Sequence, residues 1–221
     1  MRRICRYLPL VSLLCVPLAS AQSSIDVNIG FGSARDGATG AGIDNLSSPN
    51  AFGACSLSVG DPYCQATPSM GNLFMGLGAD LMLGKRYGFG FEANFQPAKQ
   101  DYGPLQYRET FYDFNGIYTP VNEKRVMLKL EGGIGGARTG FSINENECVG
   151  TAVCSNYAEP VGTANHFQIH AGVGVELFLT DHWFVRPQYD FRYVPGLTDQ
   201  FSSTAVSEGT IWLGYNFGSR L

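Results

Sequence analysis

Residues 25–32 read Ile25-Asp26-Val27-Asn28-Ile29-Gly30-Phe31-Gly32: every odd position is apolar and every even one is polar or glycine. A side-chain period of two predicts a strand with one apolar face. The pattern returns seven times. Leu73, Met75, Leu77, Ala79, Leu81 and Leu83 alternate with Gly76, Gly78 and Asp80, and Tyr87, Phe89, Phe91, Ala93 and Phe95 with Gly90, Glu92 and Asn94. Thr110, Tyr112, Phe114 and Tyr118 stand against Glu109, Asp113 and Asn115, then Val126, Leu128, Leu130 and Ile134 against Lys129, Glu131 and Gly133. Phe167, Ile169, Ala171, Val173, Val175 and Leu177 oppose Gln168, His170, Gly172, Gly174 and Glu176. Trp183, Val185, Pro187, Tyr189, Phe191 and Tyr193 oppose Arg186, Gln188, Asp190 and Arg192. Last, Ile211, Leu213, Tyr215 and Phe217 oppose Glu208, Thr210, Trp212 and Gly214. Each run is about ten residues, the length a tilted strand needs to cross a bilayer.

The connections separate a membrane barrel from a soluble sandwich. Runs two and three, four and five, and six and seven are joined by short turns at residues 84–86, 119–125 and 180–182. The others are joined by longer stretches, near 34–72, 97–106, 142–165 and 194–204. Short turns at one end and long loops at the other are the outer-membrane arrangement. If alternate strands reverse, Tyr87, Tyr118, Trp183, Tyr215 and Phe217 gather at the short-turn end, and Phe95, Phe167 and Tyr193 lie toward the other. Two aromatic belts are what two bilayer interfaces favour. The expected fold is all-β: an eight-stranded antiparallel up-and-down transmembrane β-barrel. Pro187 inside the seventh run removes a ladder donor and predicts a bulge or a shifted boundary there.

Ahead of the first run, Arg2, Arg3 and Arg6 precede a short apolar stretch at residues 8–18 and the small residues Ala19-Ser20-Ala21. This order predicts a secretory signal peptide over 1–21, cleaved before Gln22, with a barrel domain over 22–221. Fifteen basic and nineteen acidic residues then become twelve and nineteen, a charge of −7, which argues against nucleic acid as a partner. Cys5 and Cys15 leave with the leader. The four that stay, Cys55, Cys64, Cys148 and Cys154, are an even set in an exported chain, and the short spacings favour Cys55–Cys64 and Cys148–Cys154 bridges in the two longest loops. Their spacing fits no zinc pattern.

Composition bears on the interior. Only 15% of residues are charged and 28 are glycine, so the inward positions alternate between glycine and large or charged groups. An eight-stranded barrel is just wide enough for its side chains to fill. Asp26, Asp80, Glu92, Asp113, Glu131, Glu176, Asp190 and Glu208 point inward by parity, with Lys129, Arg186, Arg192 and His170. Buried charges need partners, so a salt-bridged plug is expected, with Asp26 and Glu208 near the ends hydrated. The excess of acids also suggests a proton or cation pathway as the sharper alternative.

In the last run, Ile211, Leu213, Tyr215 and Phe217 resemble the aromatic-terminated signal read by the barrel-assembly machinery, although Gly218-Ser219-Arg220-Leu221 follows. Over residues 23–217 the sequence is similar to the small eight-stranded outer-membrane proteins, the OmpA-type transmembrane domain and its porin-like relatives. The resemblance implies outer-membrane lipid and the assembly machinery as partners, and location in the bacterial outer membrane. With so little chain after the last run, no appended peptidoglycan-binding domain is expected.

No catalytic constellation is legible. His166 and His170 share a face but lie about 13 Å apart along a strand, too far for one metal. His170 with Glu176 has no adjacent serine of the kind a lipid-hydrolysing barrel would need, and His182 is expected to be merely solvated in a turn. Glu145 and Glu147 are candidate cation ligands, with a solvated acidic loop as the default. No cofactor is expected. The reading is a monomeric barrel with a structural or surface-interaction role, its long loops meeting an unknown extracellular ligand or surface. A narrow porin, a lipid-acting barrel enzyme and a soluble periplasmic binding barrel are the rivals.

Overall fold

The computed structural model describes residues 23–37, 43–45, 64–66, 69–102, 105–149, 153–201 and 203–218. Eleven strands lie among them: β1 (Ser23–Asp36), β2 (Ile43–Asn45), β3 (Cys64–Ala66), β4 (Leu73–Leu83), β5 (Tyr87–Phe95), β6 (Gln100–Tyr102), β7 (Leu105–Asn122), β8 (Val126–Val149), β9 (Val153–Phe178), β10 (Trp183–Tyr193) and β11 (Ala205–Asn216). One short helix, α1 (Thr198–Phe201), precedes the last strand. Eight strands form an antiparallel ring in the order β1, β4, β5, β7, β8, β9, β10, β11. The ring closes where β11 returns to β1, with Leu213 opposite Ile29 and Ile211 opposite Phe31. Closure removes every free edge, so backbone groups bond within the wall rather than facing hydrocarbon. β2 and β3 make a separate ribbon, and β6 folds back onto the start of β7.

Alternation of side chains follows the predicted parity. Along both β4 and β10 nearly every second residue is buried, and the intervening ones point out. In a small barrel the outward positions are the apolar ones, so Leu77, Phe89, Phe114, Ile134, Ile169 and Ile211 are exposed while Asp80, Glu92 and Arg186 are buried. This is a water-soluble core turned inside out, stable only where lipid covers the outer face.

Two expectations about the course of the strands are corrected. Residues 142–165 are not a loop: β8 and β9 run on as a long ladder, with Val149 opposite Val153. Ile143 and Val161 at its base pack against the core, but beyond them β8 and β9 pair only with each other, and backbone pairing continues without a regular apolar face. A register shift between Phe141 and Ser142 marks where the ladder leaves the regular wall. At Pro187 there is no bulge. Pairing to β9 omits Arg186 and Pro187 and resumes at Gln188–Gly174 in unchanged register, while Pro187 pairs with Ile211 on the other side. The missing N–H thus costs a local gap in one ladder.

Aromatic residues cluster at the short-turn end as expected. Tyr87 stacks on Tyr118 with centroids 5.3 Å apart, and Trp183, Tyr215 and Phe217 form a chain of edge contacts at 5.2 and 4.8 Å. His182 belongs to this belt and is not merely solvated. Its ring stacks on Tyr215 at 5.3 Å, and its Nδ1 lies 3.0 Å from the Asn216 carbonyl.

Candidate functional site

The interior is built in four tiers, two charged groups between two apolar ones. At the short-turn end, Met127, Phe178 and Phe184 form a small apolar cluster. Its fit depends on Gly214: a Cβ there would lie 2.0 Å from the Phe184 ring.

Above it sits a charged layer centred on Arg186, which β10 projects inward. Its guanidinium reaches Glu92 at 2.8 Å and Asp80 at 3.1 Å, with Glu176 and Glu131 at 3.5 and 3.6 Å. Lys129 from β8 is paired with Asp80 and lies 2.7 Å from Glu131. Arg186 also lies over the Trp212 ring, 5.2 Å from its centroid. The indole needs room, and Gly30 and Gly76 supply it: a Cβ at Gly76 would stand 2.4 Å from the ring and one at Gly30 2.7 Å.

A second charged group lies toward the long-connection end. Arg192 is 3.1 Å from both Asp113 and Glu208, and its guanidinium covers Phe111 at 5.1 Å. His170 Nε2 is 2.9 Å from Asp190, and its Nδ1 is 3.0 Å from Asn115 Oδ1. Gln188 joins the two groups, its amide donating to Glu92 at 3.2 Å and to Asp190 at 2.9 Å.

Over these charges lies an apolar stopper. Phe74, Tyr107, Phe111 and Phe141 come from the wall, Met70, Tyr102, Val194, Leu197 and Phe201 from the connections and α1. Tyr102 meets Phe141, Phe201 and Tyr107 edge-on at 5.1–6.0 Å, and its hydroxyl donates to the Gln200 carbonyl.

All eleven predicted lumen residues, Asp80, Glu92, Asp113, Lys129, Glu131, His170, Glu176, Arg186, Asp190, Arg192 and Glu208, are buried and converge on these two groups. Asp26 and Glu208 are not the hydrated end groups expected. Each is 1% exposed. Asp26 accepts from Asn216, and Glu208 pairs with Arg192 and accepts from Asn94 at 3.4 Å. Glu208 is covered by the connections folded over the long-connection mouth, and Asp26 is enclosed by its wall neighbours Asp80 and Asn216 at the short-turn end. Sequence reading passed over the amides Asn28, Asn94, Gln168 and Gln188, which bond Asp80, Glu208, Asp113 and Glu92. Their inward parity was the available signal.

His166 bonds Gln200 at 2.7 Å, well away from His170's partners. In the assembly motif, Ile211, Leu213, Tyr215 and Phe217 stand outward along the closing seam. Cys148 and Cys154 are direct partners in the β8–β9 register, and Cys64 pairs by backbone with Asn45. Cys55 lies outside the described residues, as do the proposed leader, most of the first loop, and the side chains of Glu145 and Glu147.

A closed eight-stranded ring with an apolar exterior and a filled polar interior narrows the choice to one class. A family model for the outer membrane protein beta-barrel domain matches residues 7–217. The chain belongs to this family. Among solved structures, the ring is similar to Ail, the attachment invasion locus protein of Yersinia pestis, in complex with the heparin analogue sucrose octasulfate. That match has 10% identity, covers 89% of this chain and 99% of the other, and has a TM-score of 0.52. Neisserial surface protein A matches at 11% identity over 89% and 96% of the two chains, TM-score 0.49. The outer membrane protein OprG from Pseudomonas aeruginosa matches at 11% identity over 89% and 97%, TM-score 0.48. No curated relative matches by sequence. The family places the barrel in the bacterial outer membrane.

Proposed function

We propose that this outer-membrane barrel is a closed structural element of the envelope that presents its long connections at the cell surface, and is not a channel. The carrying observation is the filled lumen, with the Met127–Phe178–Phe184 cluster below, two ion-paired groups in the middle, and the Tyr102–Phe201 stopper above. A solute path would need those paired charges to part inside a low-dielectric wall, which costs several kcal/mol per ion. Reconstituted into planar bilayers, the protein is expected to show no steady conductance. Ohmic single-channel steps in the unmodified protein would instead establish the porin reading.

In this reading the leader at 1–21 is removed on export, the last strand directs assembly, and the barrel is monomeric. Both bridges, Cys55–Cys64 and Cys148–Cys154, then staple connections facing the oxidising exterior. The opposed Cys148 and Cys154 positions support the second of these, because cross-strand neighbours bring two Cβ atoms within bridging range. Mass measurement of the protein extracted from membranes is expected to begin at Gln22 and to show no alkylation until reduction. Four thiols alkylated without reductant would remove both bridges.

A further inference from the structure

On the outer surface of β7 and β8, the apolar belt gives way to a basic row. Thr110 pairs with Arg138, which faces Asn165 on its other side; one step higher, Arg108 pairs with Gly140, which faces Thr163. Lys99 reaches over from the β5–β6 connection, its Nζ donating to Ser142 Oγ at 2.7 Å. Exposed Tyr112, Phe114 and Ile134 lie directly below on the same strands. Among the described residues, none of the three cations makes a salt bridge; every ion pair there lies in the lumen.

Lys99, Arg108, Thr110 and Arg138 line an open groove of about 250 Å³ with Gly140 at its floor. The glycine is not imposed by packing. A Cβ there would meet only the Arg108 carbonyl, at 4.0 Å, whereas the lumen glycines would collide with their neighbours. Gly132 is equally open on the outer face; what sets Gly140 apart is that the room above its strand is bordered by Lys99, Arg108 and Arg138. Lys99 donates to Ser142 and Arg108 to the Pro97 carbonyl at 3.2 Å. Among the described residues, however, no carboxylate neutralises any of the three cations around that space, and such a cluster suits an anion. Arginine's planar fork matches phosphate oxygens two at a time.

We propose that this groove binds the phosphorylated headgroup of a glycolipid in the leaflet around the long-connection end. The cations sit on the side wall, one row above the apolar belt, where a ligand arrives from within the membrane with its acyl chains against Tyr112 and Ile134. A soluble polyanion would more naturally meet cations at the loop tips. The inference rests on the outward orientation of that end, given above.

Native mass spectrometry of the full-length barrel in neutral detergent, with bis-phosphorylated lipid A as probe, tests it without reference to orientation or conductance. The unmodified barrel is expected to retain lipid A. The Lys99→Gln/Arg108→Gln/Arg138→Gln variant should bind it at least tenfold more weakly, and dephosphorylated lipid A should bind the unmodified barrel no better. Gly140→Val, which keeps all three charges and fills the floor, should also weaken retention severalfold. A heat-dependent change in electrophoretic mobility, retained in every variant, shows that the barrels are folded. Equal retention by the triple variant, or equal binding of the dephosphorylated lipid, overturns the proposal. So does heparin binding that depends on the same residues while lipid A binding does not.

Discussion

Replacing Arg186 by Met lowers the stability of the folded barrel by about 3–5 kcal/mol, the usual cost of removing one partner of a buried ion pair. Arg186 is fully buried and touches Asp80, Glu92, Glu131 and Glu176 within 3.6 Å. Methionine fills much of the same volume, so the loss is chiefly of charge, not packing. Lys129 alone then faces carboxylates that had two cations between them. The urea midpoint for loss of the fast-migrating, unheated species reads the change. If the cost is uncompensated charge, adding Glu92→Gln to Arg186→Met recovers part of it, because the closest carboxylate is then neutral. A midpoint shift worth less than about 0.5 kcal/mol in Arg186→Met, the level of an ordinary surface substitution, would show that the lumen charges are not held by this cation.

Gly76→Val is expected to prevent formation of a heat-resistant barrel. Its Cβ would stand 2.4 Å from both the Trp212 ring and Asn94 Oδ1, and the indole is boxed in by Gly30 on the far side. Overpacking of a rigid interior typically costs about 1–3 kcal/mol, and more where neither neighbour can yield. Gly132→Val supplies the control on the lipid-facing surface. There a Cβ would meet only the His170 carbonyl at 3.9 Å, so a near-neutral effect is expected. Trp212→Leu should restore folding to Gly76→Val by vacating the contested space. Failure of that double variant to fold better than Gly76→Val alone would mean that the glycine serves something other than the indole.

The contrast between these glycines shows how far a one-dimensional pattern carries. Parity alone places Gly76 inside and Gly132 outside, and the structure agrees. Parity does not say that Trp212 lies across Gly30 and Gly76, because those contacts join β11 to β1 and β4, which are more than a hundred residues away along the chain. The boundaries of β4, β5 and β10 were legible because each strand has a belt residue beside a turn breaker, Leu83 before Gly84-Lys85-Arg86, Phe95 before Gln96-Pro97 and Tyr193 before Val194-Pro195-Gly196. Those of β8 and β9 were not, since their outer halves have no apolar face to announce them. Pro187 misled for a related reason. Its sequence signature is a lost donor, but whether the wall bulges depends on the neighbours, and a well-packed wall kept register around the gap.

By itself, the amino-acid order determined the number of crossings, which face of each meets lipid, and most of the charged groups that would be enclosed. All three follow from a two-residue period, a property of adjacent positions in an extended chain. The same order left Asp26 and Glu208 hydrated and did not single out Glu109, which is also fully buried. Only the tertiary structure decided how the enclosed charges divide around Arg186 and Arg192, and that Gln188 joins them. It also decided that Met70, Tyr102, Leu197 and Phe201 meet above them. Those four come from three separate connections, and only Leu197 and Phe201, one helical turn apart, share a local spacing. Their contact exists only because ring closure brings the connections to one narrow mouth, where burying apolar surface draws them together.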